Sequence, residues 1–344
     1  MNSVNQKIIN AVIEKAEKVC PDSLALIGIY GSVARGDDYE KSDLDLRILI
    51  QNNEGWQLGT GFILTNSKVG YDIYCTNWDR LRYDAECHHA QLSRLMDSKI
   101  VYIKNQQAYD ELCKLREQAK LFLTSEERFQ RVNELIDKAK VSYANAYLHE
   151  ELGQVRLDAF GVIHSLMNAI MLFHGSYFKR STKSMLEELA TLPIEEFFVD
   201  HIKSVVASKD VLELRALLKS LLLYTEVHLK QKKNKAEPSG NLMGTYEEMY
   251  SNWRNKEEEA AKQNNAFSSF MNMCSLQNML IEISSEVAIG TCNIMEEYNP
   301  DCLGDNVKLF DACLQEYENV YETAGIAIKH YPNVDEFVED YLNK

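Results

Sequence analysis

Hydrophobic and polar positions follow two rhythms along this chain, and the change of rhythm divides it. Over the first hundred residues short apolar runs predominate: Ile27 to Tyr30, Asp43 to Ile50, Phe62 to Thr65, Val69 to Cys75 and Ile100 to Ile103. Runs this short, bounded by glycine or polar turn residues, predict strands. Before them, Ile8, Ile9, Val12, Ile13, Ala16 and Val19 recur at helical spacing over Val4 to Cys20, and Pro21 ends that helix. Gln51 to Gly55 reads as a loop, Trp78 to Ser98 as a helical region, and Ala108 to Lys120 as a helix. From Ser125 onward the pattern is almost wholly helical. Helices are expected over 126–150, with Thr124 or Ser125 as cap, then 154–174, 183–190, 194–207, 210–231, 245–262, 266–298 with breaks, and 305–330. The fold class expected is α+β, with a sheet domain over 1–105 and a large all-α domain over 106–344. Lys230 to Gly240 is polar and closed by Pro238-Ser239-Gly240, which predicts a linker and a further boundary near 230–242.

Two features in the first domain carry chemistry. Gly31-Ser32 breaks the first strand, and Val33-Ala34-Arg35 starts a helix, so backbone N–H groups are presented as a seat for phosphate. Asp43 and Asp45 then alternate with Leu44 and Leu46 on the next strand and share one face, roughly 7 Å apart at the backbone. Such a pair can converge on a hard divalent cation; Mg²⁺ takes oxygen ligands and recruits substrate phosphates. A phosphate seat beside that pair implies nucleotidyl or phosphoryl transfer. Asp72 interrupts an otherwise apolar strand, and either faces solvent or is aimed at the same metals. Taken singly, Gly-Ser is a common turn pair and Asp-x-Asp can be a solvated strand edge. Cys87-His88-His89 is an unpromising metal site, because neighbours on a helix point apart.

The stretch GSVARGDDYEKSDLDL, from Gly31 to Leu46, resembles the signature of the DNA polymerase beta-type nucleotidyltransferase superfamily. The resemblance covers residues 27 to 76. It implies a mixed-sheet catalytic domain, with ATP as co-substrate bound at Gly31 and Ser32, and Mg²⁺, in a two-metal site, on Asp43 and Asp45. It also supplies a third carboxylate where Asp72 stands, as a metal ligand or the base for the acceptor hydroxyl. Arg35 would neutralise the departing phosphates, or else pair with Asp37 or Asp38. Tyr177-Phe178-Lys179-Arg180, after an apolar helix containing Asn168, resembles helical domains fused to such catalytic domains. Lys179 or Lys183 would then reach the triphosphate; the alternative is that Lys179, Arg180 and Lys183 are helix-end cations balancing Glu187 and Glu188. A catalytic domain followed by helices looks like the kanamycin and streptomycin nucleotidyltransferases, which implies a small hydroxyl-bearing acceptor, aminoglycoside-like and cationic. In some of those enzymes a helical-domain glutamate is the base, which brings Glu150 and Glu151 into view. The competing readings are a protein adenylyltransferase and a non-catalytic nucleotide-binding module.

Composition narrows the partners. The formal net charge of -15 over 344 residues disfavours a long nucleic acid, which needs a basic groove, and favours a cationic or neutral acceptor. The eight cysteines show no CxxC pair, so no zinc site is indicated, and most are expected to be small buried hydrophobes. No apolar run approaches a membrane span on inspection, and MNSVNQKIIN lacks the form of a signal peptide, so a cytoplasmic protein without a membrane partner is expected.

Overall fold

The alternation along one central strand explains the layering of the N-terminal region. The computed structural model describes residues 3–36, 44–180, 182–229, 236–290 and 293–343. In it β1 (Leu24–Ile29), β2 (Leu46–Ile50), β3 (Thr60–Leu64), β4 (Val69–Thr76) and β5 (Lys99–Ile103) form a sheet of order β3-β4-β2-β1-β5. β2 runs parallel to β4 and antiparallel to β1, and β3–β4 and β1–β5 are antiparallel, so the sheet is mixed. Leu46, Ile48 and Ile50 of β2 point to one face, where with Ile27, Ile29, Tyr71 and Ile73 they pack on Ile9, Val12 and Ala16 of α1 (Ser3–Val19). Each fully buried aliphatic side chain there contributes about 1.5–3 kcal/mol. On the other face Leu49, Ala25 and Leu26 join a larger core with Leu81 and Ala85 of α3 (Trp78–Ala85) and Leu112 and Leu115 of α5 (Gln106–Thr124). A short helix, α2 (Gly31–Arg35), follows β1 directly, and α4 (Ser93–Met96) precedes β5.

That larger core continues through α6 (Arg128–Leu148), α7 (Leu152–Phe173), α8 (Met185–Leu189), α9 (Glu196–Ala207) and α10 (Val211–His228). Gly161 lets α7 approach α6, since a Cβ there would lie 2.6 Å from Ser142 Oγ. Arg215 of α10 donates to the carbonyls of Ala146 and His149 and so ties down the end of α6. By length and composition α7 is apolar enough to cross a membrane, which corrects the reading that no such run is present; 61% of its most apolar window is buried in the protein.

The chain divides into two compact units between Lys230 and Gln231, and the sheet and α5 to α10 share the first. The linker residues 230–235 lie outside the described residues. The second unit holds α11 (Thr245–Met249), a π-helical turn over Tyr250–Arg254, α12 (Asn255–Lys262), α13 (Ala266–Glu286), α14 (Leu303–Thr323) and α15 (Val334–Asn343). Met249, Met273, Leu276, Leu280, Phe310, Tyr317 and Tyr321 form its core. The α+β class expected from the pattern is the observed one.

Several boundaries differ from the pattern. The helical region expected to Ser98 breaks after Ala85, where Cys87 takes φ 51° and Asn168 Oδ1 accepts from Ala90 N–H at 2.6 Å. Cys87, His88 and His89 therefore stand in a turn and not on a helix. Ser125 does not cap α6: its hydroxyl donates to Phe122 O and closes α5 instead. The expected loop after β2 contains a 3-10 turn, Asn53–Leu58, capped by Asn52 on Glu54 N–H. The long helix expected to 298 ends at Glu286, where Val287 turns extended to bridge Ala236, and α14 ends at Thr323, ahead of Gly325 at φ 69°. The helix α15 was not predicted.

Candidate functional site

Gly31 and Asp45 meet at one point. Gly31 opens α2 at φ 68°, the left-handed region open to glycine. A Cβ there would lie 2.6 Å from Cγ of Asp45 and closer still to its Oδ2, so the carboxylate occupies the space a side chain would need. Tyr30 N–H donates to Asp45 O at 3.1 Å and clamps the two strand ends together. Ser32, half-buried, follows, and its carbonyl accepts from Gly36 N–H at 2.9 Å, with Gly36 in the left-handed conformation ending the helix. α2 has only five residues. Its dipole is therefore slight, and the backbone N–H groups of its first turn are what the seat offers.

Asp72 lies on β4, exposed, between buried Tyr71 and Ile73. The parallel register pairs Leu46 with Ile73. Carried one step earlier, that register would set Asp45 beside Asp72 on the same face, at about the 4.8 Å spacing of adjacent strands. Asp43 lies outside the described residues, as do Asp37 and Asp38, the alternative partners of Arg35. Hard carboxylate oxygens on neighbouring strands fit Mg²⁺ by donor type.

Beside this contact is a cleft of about 340 Å³ lined by Tyr30, Gly31, Ala34, Arg35, Ser93, Asp97, Lys99 and Lys179. It brings Gly31, Arg35 and Lys179 together across more than 140 residues of chain, and Arg35 Nη1 donates to Lys179 O at 3.1 Å. The Lys179 segment is held by three bonds: Phe178 N–H to Ala90 O at 2.8 Å, Lys179 N–H to Glu188 Oε2 at 2.8 Å, and Tyr177 O–H to Asp97 Oδ1 at 2.8 Å. Burial, and then the Asp97 bond, push the Tyr177 hydroxyl far up, so it stays a donor at any ordinary pH. Arg180 sits 3.9 Å from Glu187 and lines an adjacent cavity of about 320 Å³ with Lys179. Lys183 is exposed and lines neither space. Glu150 and Glu151 are exposed in the turn between α6 and α7.

Beyond Asp45 along β2 comes a cationic layer. Arg47 is buried, and burial pushes its guanidinium down to about 9; Asp84 and Tyr30 oppose that shift, while Arg94 and Arg116 add to it. Asp84, fully buried, accepts from Arg94 at 3.1 and 3.2 Å and stands 3.3 Å from His89 Nε2 and 3.5 Å from Arg80. Burial raises its pKa, but the bonds from His89 and Arg94 outweigh that and hold the carboxyl below its usual range. His88 instead stacks on Tyr83 with ring centroids 4.2 Å apart, while the His89 ring meets the same tyrosine at a tilt, 5.9 Å away.

Sequence reasoning missed Lys99, Ser93, Asp97 and Arg47. Lys99 pairs with Ile29, two residues before the Gly31 turn, only through the β1–β5 register, for which no local signal exists. Arg47 did have one: a charge inside an apolar strand run, LDLRILI.

No family model matches the chain, and no curated protein matches it. Among solved structures it is similar to a nucleotidyltransferase-like protein from Exiguobacterium sibiricum 255-15, at 15% identity over 66% of this chain and 78% of that one, with a TM-score of 0.36. A likeness that loose carries no argument about this site.

Proposed function

We propose that the chain is a metal-dependent nucleotidyltransferase that moves a nucleoside monophosphate, AMP from ATP first, to a hydroxyl of a small cationic acceptor. The observation that carries this reading is the seating of the Asp45 carboxylate in the space left by Gly31, beside a cleft that gathers Arg35, Lys99 and Lys179 in a chain of net charge -15. A polyanionic ligand is the one such a cleft would attract. Gly31 and Ser32 offer N–H groups and a hydroxyl to the phosphates. Arg35, Lys99 and Lys179 would take the charge of the departing pyrophosphate. Asp45 and Asp72, with Asp43 as the expected third carboxylate, would hold Mg²⁺, which would supply charge neutralisation on the phosphates. Asp72, the exposed member, is the candidate to accept the proton of the acceptor hydroxyl. The acidic composition outside the cleft agrees with an aminoglycoside-like acceptor.

The test is pyrophosphate release from each of the four nucleoside triphosphates with Mg²⁺ and a panel of aminoglycosides and other hydroxyl compounds, with Asp45→Ala alongside. Acceptor-dependent release that falls by at least about 10³-fold in the variant is expected. Nucleotide and metal binding without release, followed by label transfer from ATP to a protein in lysate, would move the acceptor to a protein side chain. Absence of both binding and release would sink the reading.

A further inference from the structure

One buried cation is unused by the reaction above. Arg47 is only 2% exposed, and neither of its terminal nitrogens, Nη1 and Nη2, has a hydrogen-bond partner. Its register partners are Gly28 on β1 and Tyr74 on β4, neither of them an anion. Asp84, the carboxylate that attracts it, is engaged by Arg94, Arg80 and His89. Arg116 finds neutral acceptors, Leu95 O, Ser98 O and Ser98 Oγ, and repels Arg47 as Arg94 does. Burying a guanidinium without a partner is costly, and an apolar side chain of similar length would fill the same space without that cost. Apart from the attraction of Asp84, which three other groups already engage, nothing among the described contacts calls for a cation here.

Position gives a reason for one. Arg47 on β2 lies two residues past Asp45, which just precedes the strand, so extended backbone sets the two on the same side, roughly 7 Å apart at the backbone. Tyr30, near enough to Arg47 to bear on its guanidinium, lines the cleft. We propose that Arg47 is a positioning residue that acts through Asp45: a fixed, buried positive charge that makes the cleft prefer polyphosphate over bare metal ion. This inference rests on the nucleotidyl-transfer reading of the same site. A positive charge behind the carboxylate opposes a divalent cation arriving alone and favours the anionic nucleotide, and in a partly buried setting each effect is on the order of tenfold.

The two signs make the test. In the full-length chain, Arg47→Met is expected to keep or raise Tm, to weaken binding of α,β-methylene-ATP with Mg²⁺ by about tenfold, and to tighten Mn²⁺ binding without nucleotide by a similar factor. Arg47→Lys is expected to keep both affinities within about threefold of the unsubstituted chain. A purely structural arginine would weaken both ligands together and lower Tm. That outcome would overturn the proposal, as would an unfolded methionine variant beside a folded lysine variant, or unchanged affinities in Arg47→Met. If the unsubstituted chain binds neither Mn²⁺ nor the analogue, the reading of the site fails and the inference with it; if it binds both and the variant matches it, only the inference fails.

Discussion

Glu257 in the second unit and Arg47 in the first are both buried ionisable side chains, and they are treated in opposite ways. In the second unit Glu257 of α12 is fully buried, and both carboxylate oxygens are satisfied: Oε1 accepts from Ser269 Oγ at 2.5 Å and Oε2 from Asn272 Nδ2 at 3.3 Å. Asn306 of α14 donates in turn to Ser269 Oγ and to Asn299 O, so the network joins three helices. In the first unit Arg47 is nearly as buried and its terminal nitrogens are unmatched. A satisfied buried network specifies which helices meet. The terminal nitrogens of Arg47 make no such ties between elements, and Arg47 follows by two residues the carboxylate that occupies the space at Gly31.

The largest effect expected from breaking this contrast is at Asp84. Asp84→Ala removes the buried carboxylate on which Arg94, Arg80 and His89 converge and leaves Arg47 among like charges, and it should cost about 3–5 kcal/mol in urea unfolding. Adding Arg47→Met should recover part of that loss. A double-variant cycle showing strict additivity would mean that Asp84 and Arg47 do not interact. Next comes Glu257→Ala, which leaves Ser269 and Asn272 without their acceptor and should cost about 2–3 kcal/mol, with hydrogen exchange rising in α12, α13 and α14. If Glu257 and Arg47 are opposite cases, Arg47→Met shows no such loss.

Gly31→Ala sharpens the contrast from the side of the site. The positive φ alone costs about 1–2 kcal/mol for a side-chain residue, and the added carbon must also displace the Asp45 carboxylate. Transferase activity should therefore fall by on the order of 10²-fold, more than the stability loss accounts for. Activity near normal with only the stability loss would separate Gly31 from the chemistry.

The smallest effect is on pH. Burial first, and then the nearby His228 and Arg128, hold the His174 ring below its ordinary value of 6.5, and burial and His89 do the same to His164. The unfolded chain then binds more protons than the folded one as pH drops through 6.5, so their contribution to stability is complete above 6.5 and declines below it. Asp84 acts in a lower window: its depressed carboxyl contributes stability above its ordinary value of 3.8, and that is lost as pH falls beneath it. His174→Phe, beside Phe173 and His228, should flatten the decline between about pH 7 and 5.5 by less than about 1 kcal/mol, measured by thermal melts. An unchanged slope would assign the decline to His164 or to other groups.

What the chain by itself determined was local. The short apolar runs bounded by Gly31, Asn52 and Asn66 set the strands, Pro21 stands just past the end of the first helix, and the alternation around Asp45 put it opposite Leu46 and Ile48, because side-chain direction in a strand depends only on parity along the chain. That Gly31 and Asp45 belong to one site was legible from two close segments with unusual residue types; their direct contact was not. Tertiary structure alone decided the rest. Lys99 and Lys179 join Gly31 only because β5 pairs with β1 and because Ala90 receives Phe178 N–H, contacts spanning tens of residues that no local pattern encodes. The break at Cys87 depends on Asn168, far along the chain in α7, and the unmatched state of Arg47 depends on every other cation near Asp84. Periodicity says which face a side chain takes; only the assembled fold says what it meets there.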